Sequence, residues 1–238
     1  MPTDQRTVRA VVEEYTRLLS LAVHEFRTPA SVVGGYLRML LGEAGGPLTD
    51  HQRKMVEEAE RSCERIVALI SELNEIARLD GGSAATGVET FDLFQVVREA
   101  SRDIRNAEDR EVPIDFLGEA VGARCTGDRA RLSAALAAII RAIAREQVGG
   151  AAMAIDCRLT SDKGRRLAAV IVARDRDVQS TFTAPREAFD ERRGGLGLAL
   201  PIARRVIERH GGQVWSPAVG MPDAAARRAG AVIAMPLT

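Results

Sequence analysis

The chain has 238 residues, of which 46% are apolar and 28% charged, and its formal net charge at pH 7 is zero. This composition is typical of a globular protein and excludes a disordered chain, while the balanced charge gives no indication of binding to nucleic acid or to an anionic membrane. The length allows two modest domains or one large one. The widely spaced Cys63, Cys125 and Cys157 indicate a reducing compartment and no metal site.

The first residues are polar and charged, so no signal peptide is expected, and no apolar run is long enough to span a bilayer. We therefore expect a cytoplasmic protein, which can also be the cytoplasmic end of a longer chain.

Residues 5–41 are expected to form one long amphipathic helix. Its apolar positions fall into two rows with the heptad spacing of a helical-bundle seam. One row holds Leu19, Phe26, Val33 and Leu40, and the other holds Val23, Ala30 and Leu37. His24 follows a seam position and is expected on the wet face beside Glu25, where a carboxylate can orient the imidazole and accept its proton. Pro29 removes a backbone donor and predicts a bend near His24, and a plain surface histidine on a kinked helix is the alternative interpretation.

The glycine-rich segment 42–47 predicts a turn between this helix and a second one. Thr49 is expected to cap the second helix and to form a capping box with Gln52, and this helix should run from about Asp50 to Arg78. Two long helices with a short connection form an antiparallel hairpin. The apolar face is too wide for one hairpin to cover, so two copies are expected to form a four-helix bundle in a homodimer.

Small and polar residues at 81–87 predict a linker that separates the helical hairpin, at 1–80, from a second domain at 88–238. Helices are expected there at 93–105, from the N-cap Asp128 to about Arg145, and from the glycines at 194–197 to His210. Strands are expected at 112–116, 123–126, 152–159, 167–173, 213–215 and 231–235, with a hairpin turn around 162–164, a loop at 178–193 and a flexible connection at 216–230. Because helices and strands do not alternate regularly, we predict an α plus α/β fold class, in which an α/β sandwich with a mixed sheet follows the hairpin.

The order of these features resembles the sensor histidine kinase family of two-component signalling over nearly the whole chain. The segment His24-Glu25-Phe26-Arg27-Thr28-Pro29 is similar to the phosphoacceptor box of that family. The resemblance implies that His24 takes a phosphoryl group on a ring nitrogen and that Glu25 polarises the ring. Glu25 and Thr28 also have the E-x-x-T spacing that the family uses to dephosphorylate a partner response regulator. Residues three apart lie on one face of a helix, where the Thr28 hydroxyl could position a water for attack on an aspartyl phosphate.

Segments of the second domain resemble the family's ATP-binding domain. Residues 128–132 resemble the lead-in to its N-box, residues 194–200 its second glycine box, and residues 211–215 the strand that follows. We call Gly194-Gly195-Leu196-Gly197 the glycine segment. Backbone N–H groups at a helix N-terminus can bind phosphate, so the resemblance assigns Gly194, Gly195 and Gly197 to a vestigial nucleotide site. A glycine-rich helix start without a ligand is the alternative.

The N-box helix departs from the family pattern. In the family an asparagine on this helix holds Mg²⁺ between the nucleotide phosphates, but the matching positions fall on Ala138 and Ala142, and alanine cannot ligate a metal. The two asparagines of the chain lie elsewhere. Arg141 and Arg145 can still bind phosphate, but as charges rather than as metal ligands.

The first glycine box, D-x-G-x-G in the family, is also missing, because both glycines are absent after the strand that ends near Ala173. Asp175 is the candidate for the adenine-reading aspartate, although strand alternation places Arg174 there. Phe182 and Phe189 are candidates for the family's phenylalanine box, with a role as core anchors of a loop as the alternative.

The phosphoacceptor helix therefore matches the family pattern, whereas two motifs of the ATP-binding domain, the N-box asparagine and the first glycine box, are absent. Phosphoryl transfer from ATP depends on positioning and charge neutralisation, so loss of the Mg²⁺ ligand should severely reduce the rate of this transfer. Our first hypothesis is a pseudokinase that works as a histidine phosphotransferase or regulator phosphatase through His24, with a response-regulator receiver domain as partner and no cofactor of its own. The second is an active atypical histidine kinase that uses ATP and Mg²⁺. The third is a non-catalytic dimeric scaffold whose kinase-like domain docks partners.

Overall fold

The structure, a computed structural model, describes residues 5–82, 87–107, 113–147, 152–174, 177–195, 197–218 and 230–238. They fall into two compact units, one within Met1–Ser83 and the other within Ala84–Thr238. Of the linker expected at 81–87, residues 83–86 lie outside the described part. Within the described residues, no helix has both the length and the apolar character needed to cross a membrane.

Two long helices form the first unit, α1 over Gln5–Leu41 and α2 over Asp50–Asp80, and α1 continues through Pro29. The predicted helical hairpin is confirmed. At the start of α2, the Thr49 hydroxyl oxygen accepts a hydrogen bond from the Gln52 N–H at 3.3 Å, and the Gln52 side-chain oxygen accepts one from the Thr49 N–H at 3.0 Å. The predicted capping box is therefore present, and it satisfies donors that the first turn of a helix leaves unpaired.

The apolar rows of α1 lie in two different environments. Val23 and Cys63 are buried between the helices, and the Cys63 thiol donates to the Ala30 carbonyl at 3.2 Å. Phe26 and Val33, from the same predicted seam, are 58% and 51% exposed. One hairpin therefore covers only part of its own apolar surface, as the width of the apolar face predicts.

In the second unit, helices α3–α6 cover Leu93–Ala107, Arg129–Arg145, Val178–Thr183 and Ala199–Arg209. Strands β1–β8 cover Val88–Asp92, Ile114–Gly118, Arg124–Asp128, Met153–Asp162, Arg165–Arg174, Arg186–Ala188, Gln213–Pro217 and Ala231–Pro236. Strands β1 and β3 form an antiparallel pair, and the other six form a sheet in the order β2-β4-β5-β8-β7-β6. Within this sheet β2 and β4 are parallel and the other neighbours antiparallel, so the predicted α plus α/β class with a mixed sheet is confirmed.

The central strands of the six-stranded sheet are buried on both faces. Ile171 and Ala173 of β5 join Val178 of α5 and Trp215 of β7 in one apolar cluster. Val172, which alternates with them and therefore points to the opposite face, is also fully buried. Helix α4, most of whose apolar residues are buried, contacts α3, α6 and β5. The core thus extends from α4 through the sheet to α5.

Two local signals in the second unit are confirmed. Asp128 caps α4, because its Oδ1 accepts a hydrogen bond from the Arg131 N–H at 3.0 Å. The hairpin between β4 and β5 turns at Lys163 and Gly164, whose φ angles of 49° and 78° are both left-handed. Two consecutive left-handed residues are typical of the tightest hairpin turns.

The structure corrects the prediction of a loop over residues 178–193, because this range contains α5 and β6. Helix α5 has six residues and β6 has three, which is too short for a hydrophobic period to show. Both elements depend on tertiary contacts: Val178 packs in the sheet cluster and β6 pairs with β7.

The prediction that the glycine segment opens the last helix is wrong, because α6 begins only at Ala199. Gly194, Gly195 and Gly197 have φ angles of 70°, 61° and 64°, which a right-handed helix cannot contain. The predicted strand at 213–215 extends to Pro217 as β7, and residues 219–229 of the predicted flexible connection lie outside the described residues.

Candidate functional site

His24 lies on the solvent-facing side of α1. Its side chain is 79% exposed, and the Glu25 side chain beside it is 70% exposed. The His24 Nδ1 atom lies 3.6 Å from Glu25 Oε1, a distance that allows electrostatic attraction but exceeds that of a direct hydrogen bond. A carboxylate on the Nδ1 side favours a proton on that nitrogen, which leaves the lone pair of the neutral ring on Nε2.

Thr28 is also exposed and lies one helical turn after His24. It is three residues from Glu25, a spacing that makes the two side chains neighbours on the helix surface. The structure therefore brings His24, Glu25 and Thr28 together on one open stretch of α1.

An apolar groove of about 550 Å³ runs along the hairpin between α1 and α2. Helix α1 contributes Phe26, Val33 and Leu37 to its walls, and α2 contributes Ile66 and Leu73. The three residues from α1 belong to the seam rows predicted from the sequence. The groove is thus an apolar surface with the heptad spacing that packs against other helices.

The candidate nucleotide site of the second unit lies where the glycine segment meets α4. Ala138 and Ala142 of α4 are 8% and 0% exposed. Gly194 packs directly against this helix, because a Cβ atom added to Gly194 would lie only 2.7 Å from the Ala142 Cα. The Arg145 guanidinium donates to the Gly194 carbonyl oxygen at 3.3 Å. Gly194 therefore lies against α4 at the position where the resemblance places a metal ligand.

The predicted adenine-reading residue Asp175 lies outside the described residues. Its neighbour Arg174, at the end of β5, is held by Asp177, with 2.6 Å between Nε and Oδ2. Phe189 is 7% exposed, and Phe182 packs against the apolar cluster of the sheet. Both phenylalanines therefore have packing partners, as expected of core anchors.

A charged residue that the sequence does not single out is buried beside the glycine segment. Arg193, directly before the glycine segment, is 6% exposed, whereas Arg192 is exposed. The Arg193 guanidinium donates to the Gly230 carbonyl at 3.0 Å and to the Ser216 hydroxyl at 2.7 Å. Two adjacent arginines give no sequence signal for which of them is buried.

The side chains on α4 do not fit a metal–nucleotide complex. Alanine offers no ligand atom, and a longer side chain at the fully buried Ala142 would have to displace its neighbours. In the part of the chain that the structure describes, no three His, Cys, Asp or Glu side chains are grouped as a metal site would require.

Comparison with known proteins shows which domain family the helical unit matches and which proteins most of the chain resembles. Residues 14–82 match the His Kinase A (phospho-acceptor) domain. The chain is 27% identical over 206 residues to the sensor-like histidine kinase SenX3 of Mycolicibacterium smegmatis, which covers 81% of this chain and 52% of SenX3. It is 23% identical over 220 residues to the alginate biosynthesis sensor protein KinB of Pseudomonas aeruginosa, which covers 89% of this chain and 36% of KinB. The chain thus spans about half of the first relative's length and about a third of the second's.

Solved structures share the fold. The crystal structure of full-length ShkA in complex with AMPPNP superimposes with a TM-score of 0.61 at 22% identity, covering 93% of this chain and 45% of ShkA. The histidine kinase AdeS of Acinetobacter baumannii gives a TM-score of 0.51 at 14% identity, covering 90% of this chain and 97% of that one. Each superposition covers nine tenths or more of this chain and therefore includes both of its units.

Proposed function

Because the chain belongs to the sensor histidine kinase family of two-component signalling, we propose that it carries phosphate on His24 and exchanges it with, or removes it from, an aspartate of a response regulator. One contrast carries this proposal. His24 is exposed to a partner, whereas Ala138 and Ala142 are buried in α4 and Gly194 lies directly against Ala142. The phosphoacceptor is thus accessible, and the position of the metal ligand is filled by packed alanine.

In the exchange reaction, the Nε2 lone pair of a neutral His24 attacks the phosphorus of an aspartyl phosphate. The bond between phosphorus and the carboxylate oxygen breaks as the bond between phosphorus and nitrogen forms, and the aspartate leaves as a carboxylate. Glu25, near Nδ1, stabilises the positive charge that develops on the ring. The reverse reaction passes phosphate from His24 to the aspartate.

In the phosphatase reaction, water replaces His24 as the nucleophile. The Thr28 hydroxyl, exposed on the same side of α1, can accept a hydrogen bond from that water and orient it towards the phosphorus. The products are inorganic phosphate and the free aspartate. A phosphatase of this kind needs the Thr28 hydroxyl but not a nucleophilic His24.

A homodimer and a cytoplasmic location are parts of the proposal. The apolar groove of the hairpin, with Phe26 and Val33 more than half exposed, suits a second copy of the same hairpin in a four-helix bundle. The three cysteines are free thiols, which suits a reducing compartment.

The first experiment tests the phosphate carrier. Purified receiver domains are phosphorylated with radiolabelled acetyl phosphate and mixed with the chain, and we expect label to move to the chain or to be released as inorganic phosphate. His24→Gln should abolish labelling of the chain, whereas His51→Gln, which replaces an exposed histidine of α2, should leave it unchanged. Label that remains on the His24→Gln chain would overturn the assignment.

The second experiment tests the donor by calorimetric titration with MgATP. We expect no binding heat and no labelling of His24 from ATP, because α4 offers no metal ligand at Ala138 or Ala142. Binding heat together with labelling from ATP would instead establish an active atypical kinase.

A further inference from the structure

The Arg193 side chain joins separate parts of the second unit. Its Nη1 donates to the Gly230 carbonyl, directly before β8, and its Nη2 donates to the Ser216 hydroxyl of β7. The centre of the guanidinium lies 5.2 Å from the centroid of the Phe189 ring, within the range of a cation–π interaction. One side chain therefore ties the start of the glycine segment to two strands and to the segment after β6.

The two backbone segments that Arg193 connects are closely packed. A Cβ atom on Gly230 would lie 3.1 Å from the hydroxyl oxygen of Thr181, which is fully buried in α5. On the other side of the turn, Gly194 lies against Ala142 and receives a hydrogen bond from Arg145. The turn is thus held at Arg193 by the strands and at Gly194 by α4.

Burial of a charge in this position is costly, and the surroundings offset the cost. Loss of hydration lowers the pKa of Arg193 below its ordinary value, while the negative charges of Glu146 and Asp190 raise it. A guanidinium stays charged in proteins and offers five donors in a fixed plane. Its hydrogen bonds to Gly230 and Ser216 therefore act as a directional clamp rather than as a general apolar contact.

We infer that Arg193 holds Gly194 against α4, so that the second unit keeps the turn at residues 193–195 in one conformation without a bound nucleotide. The inference rests on the proposed absence of MgATP use. The second unit would then present the same surface to its partners at any nucleotide concentration.

Hydrogen–deuterium exchange of the full chain, with and without MgATP, tests this inference. In the unsubstituted chain we expect slow exchange at residues 193–195 that MgATP does not change. Arg193→Met keeps a long side chain but loses the hydrogen bonds to Gly230 and Ser216, so exchange there should rise about tenfold or more. Arg192→Met is the matched control, because Arg192 is exposed, and it should leave exchange unchanged.

Ser216→Ala provides a second variant if Arg193→Met does not fold. It removes one acceptor of the clamp and should produce a smaller increase at the same residues. Unchanged exchange in folded Arg193→Met, or in Ser216→Ala where Arg193→Met does not fold, would overturn the inference. Protection of the unsubstituted chain by MgATP would instead contradict the proposed function, and the nucleotide-free comparison would still decide the role of Arg193.

Discussion

Gly127 and His210 show how tightly single residues pack in the second unit. The His210 Nδ1 donates to the Val206 carbonyl at 2.7 Å, and its Nε2 accepts a hydrogen bond from the Asp128 N–H at 3.0 Å. This pair of bonds requires a neutral imidazole with its proton on Nδ1. The ring lies against Gly127 so closely that a methyl group there would overlap it. Helix α6 is thereby joined to the residue that caps α4.

We predict that Gly127→Ala lowers the free energy of unfolding of the second unit by about 1–3 kcal/mol, the usual cost of an overpacked site. The added methyl would displace the His210 ring and break its bond to the Asp128 N–H. Urea unfolding followed by the fluorescence of Trp215, the single tryptophan and a buried residue of this unit, measures the loss.

The control for this prediction is a double-mutant cycle with His210→Ala. Without the imidazole, the methyl group has space, so Gly127→Ala should cost much less in that background. Equal costs in both backgrounds would show that the overlap with the ring is not the cause.

The two buried thiols of the second unit make its stability depend on pH. Burial raises the pKa of Cys125 from 9.0 to about 11 and that of Cys157 to about 12, and the nearby Asp92 carboxylate adds to both shifts. The unfolded chain therefore loses the thiol protons at a lower pH than the folded chain. The stabilisation that the protonated thiols provide is complete below about pH 9 and declines as the pH rises towards 11. Each pKa unit corresponds to about 1.4 kcal/mol, which gives a loss of at most about 3 kcal/mol from Cys125.

The measurement is the unfolding free energy of the second unit between pH 8 and pH 10.5. The Cys125→Ala/Cys157→Ala variant should show a flatter decline than the unsubstituted chain, because it lacks both titrating groups. If the unfolding free energy of both proteins falls equally with pH, these thiols do not cause the loss of stability at alkaline pH.

At the scale of elements, the start of α2 is specified by a local signal. Thr49 and Gln52 exchange hydrogen bonds across the first turn, and Arg53 beside them pairs with Glu43 of the preceding turn at 2.5 Å. Because these contacts join residues close in sequence, the boundary at Asp50 is readable without a fold.

Thr49→Ala should therefore destabilise the start of α2 by about 1 kcal/mol, since the Gln52 N–H loses its acceptor. We expect about fivefold faster hydrogen exchange over residues 50–56, and Thr49→Ser, which keeps the hydroxyl, should restore the original rate. Exchange that is equally fast in the alanine and serine variants would contradict a capping role.

At the scale of the whole molecule, the open groove of the hairpin predicts assembly. Val33→Asp places a charge on a wall that a second copy would cover, and an unpaired buried charge is costly. We expect this variant to sediment as a monomer at concentrations where the unsubstituted chain is a dimer.

Leu21→Asp is the matched control for the dimer. Leu21 is also more than half exposed, but it lies two residues before Val23, on the side of α1 that faces away from the seam. The Leu21→Asp variant should therefore remain dimeric. If both variants sediment alike, the groove is not the dimer interface.

Periodicity and capping in the sequence alone determined the helical unit. The heptad rows, the Thr49 cap and the exposed position of His24 depend on residues within a few turns of one another, so the chain specifies them locally. The Asp128 cap and the hairpin turn at Lys163-Gly164 belong to the same class.

The tertiary structure decided what depends on distant residues. Sequence gives Arg192 and Arg193 the same chemistry, and only the strands that carry Ser216 and Gly230 determine which of them is buried. The short α5 and β6 likewise exist because the sheet supplies their packing and pairing partners. The closure of Gly194 onto Ala142 joins positions 52 residues apart, and no local pattern encodes it. Burial is a property of the assembled core, so it becomes fixed only when these segments meet.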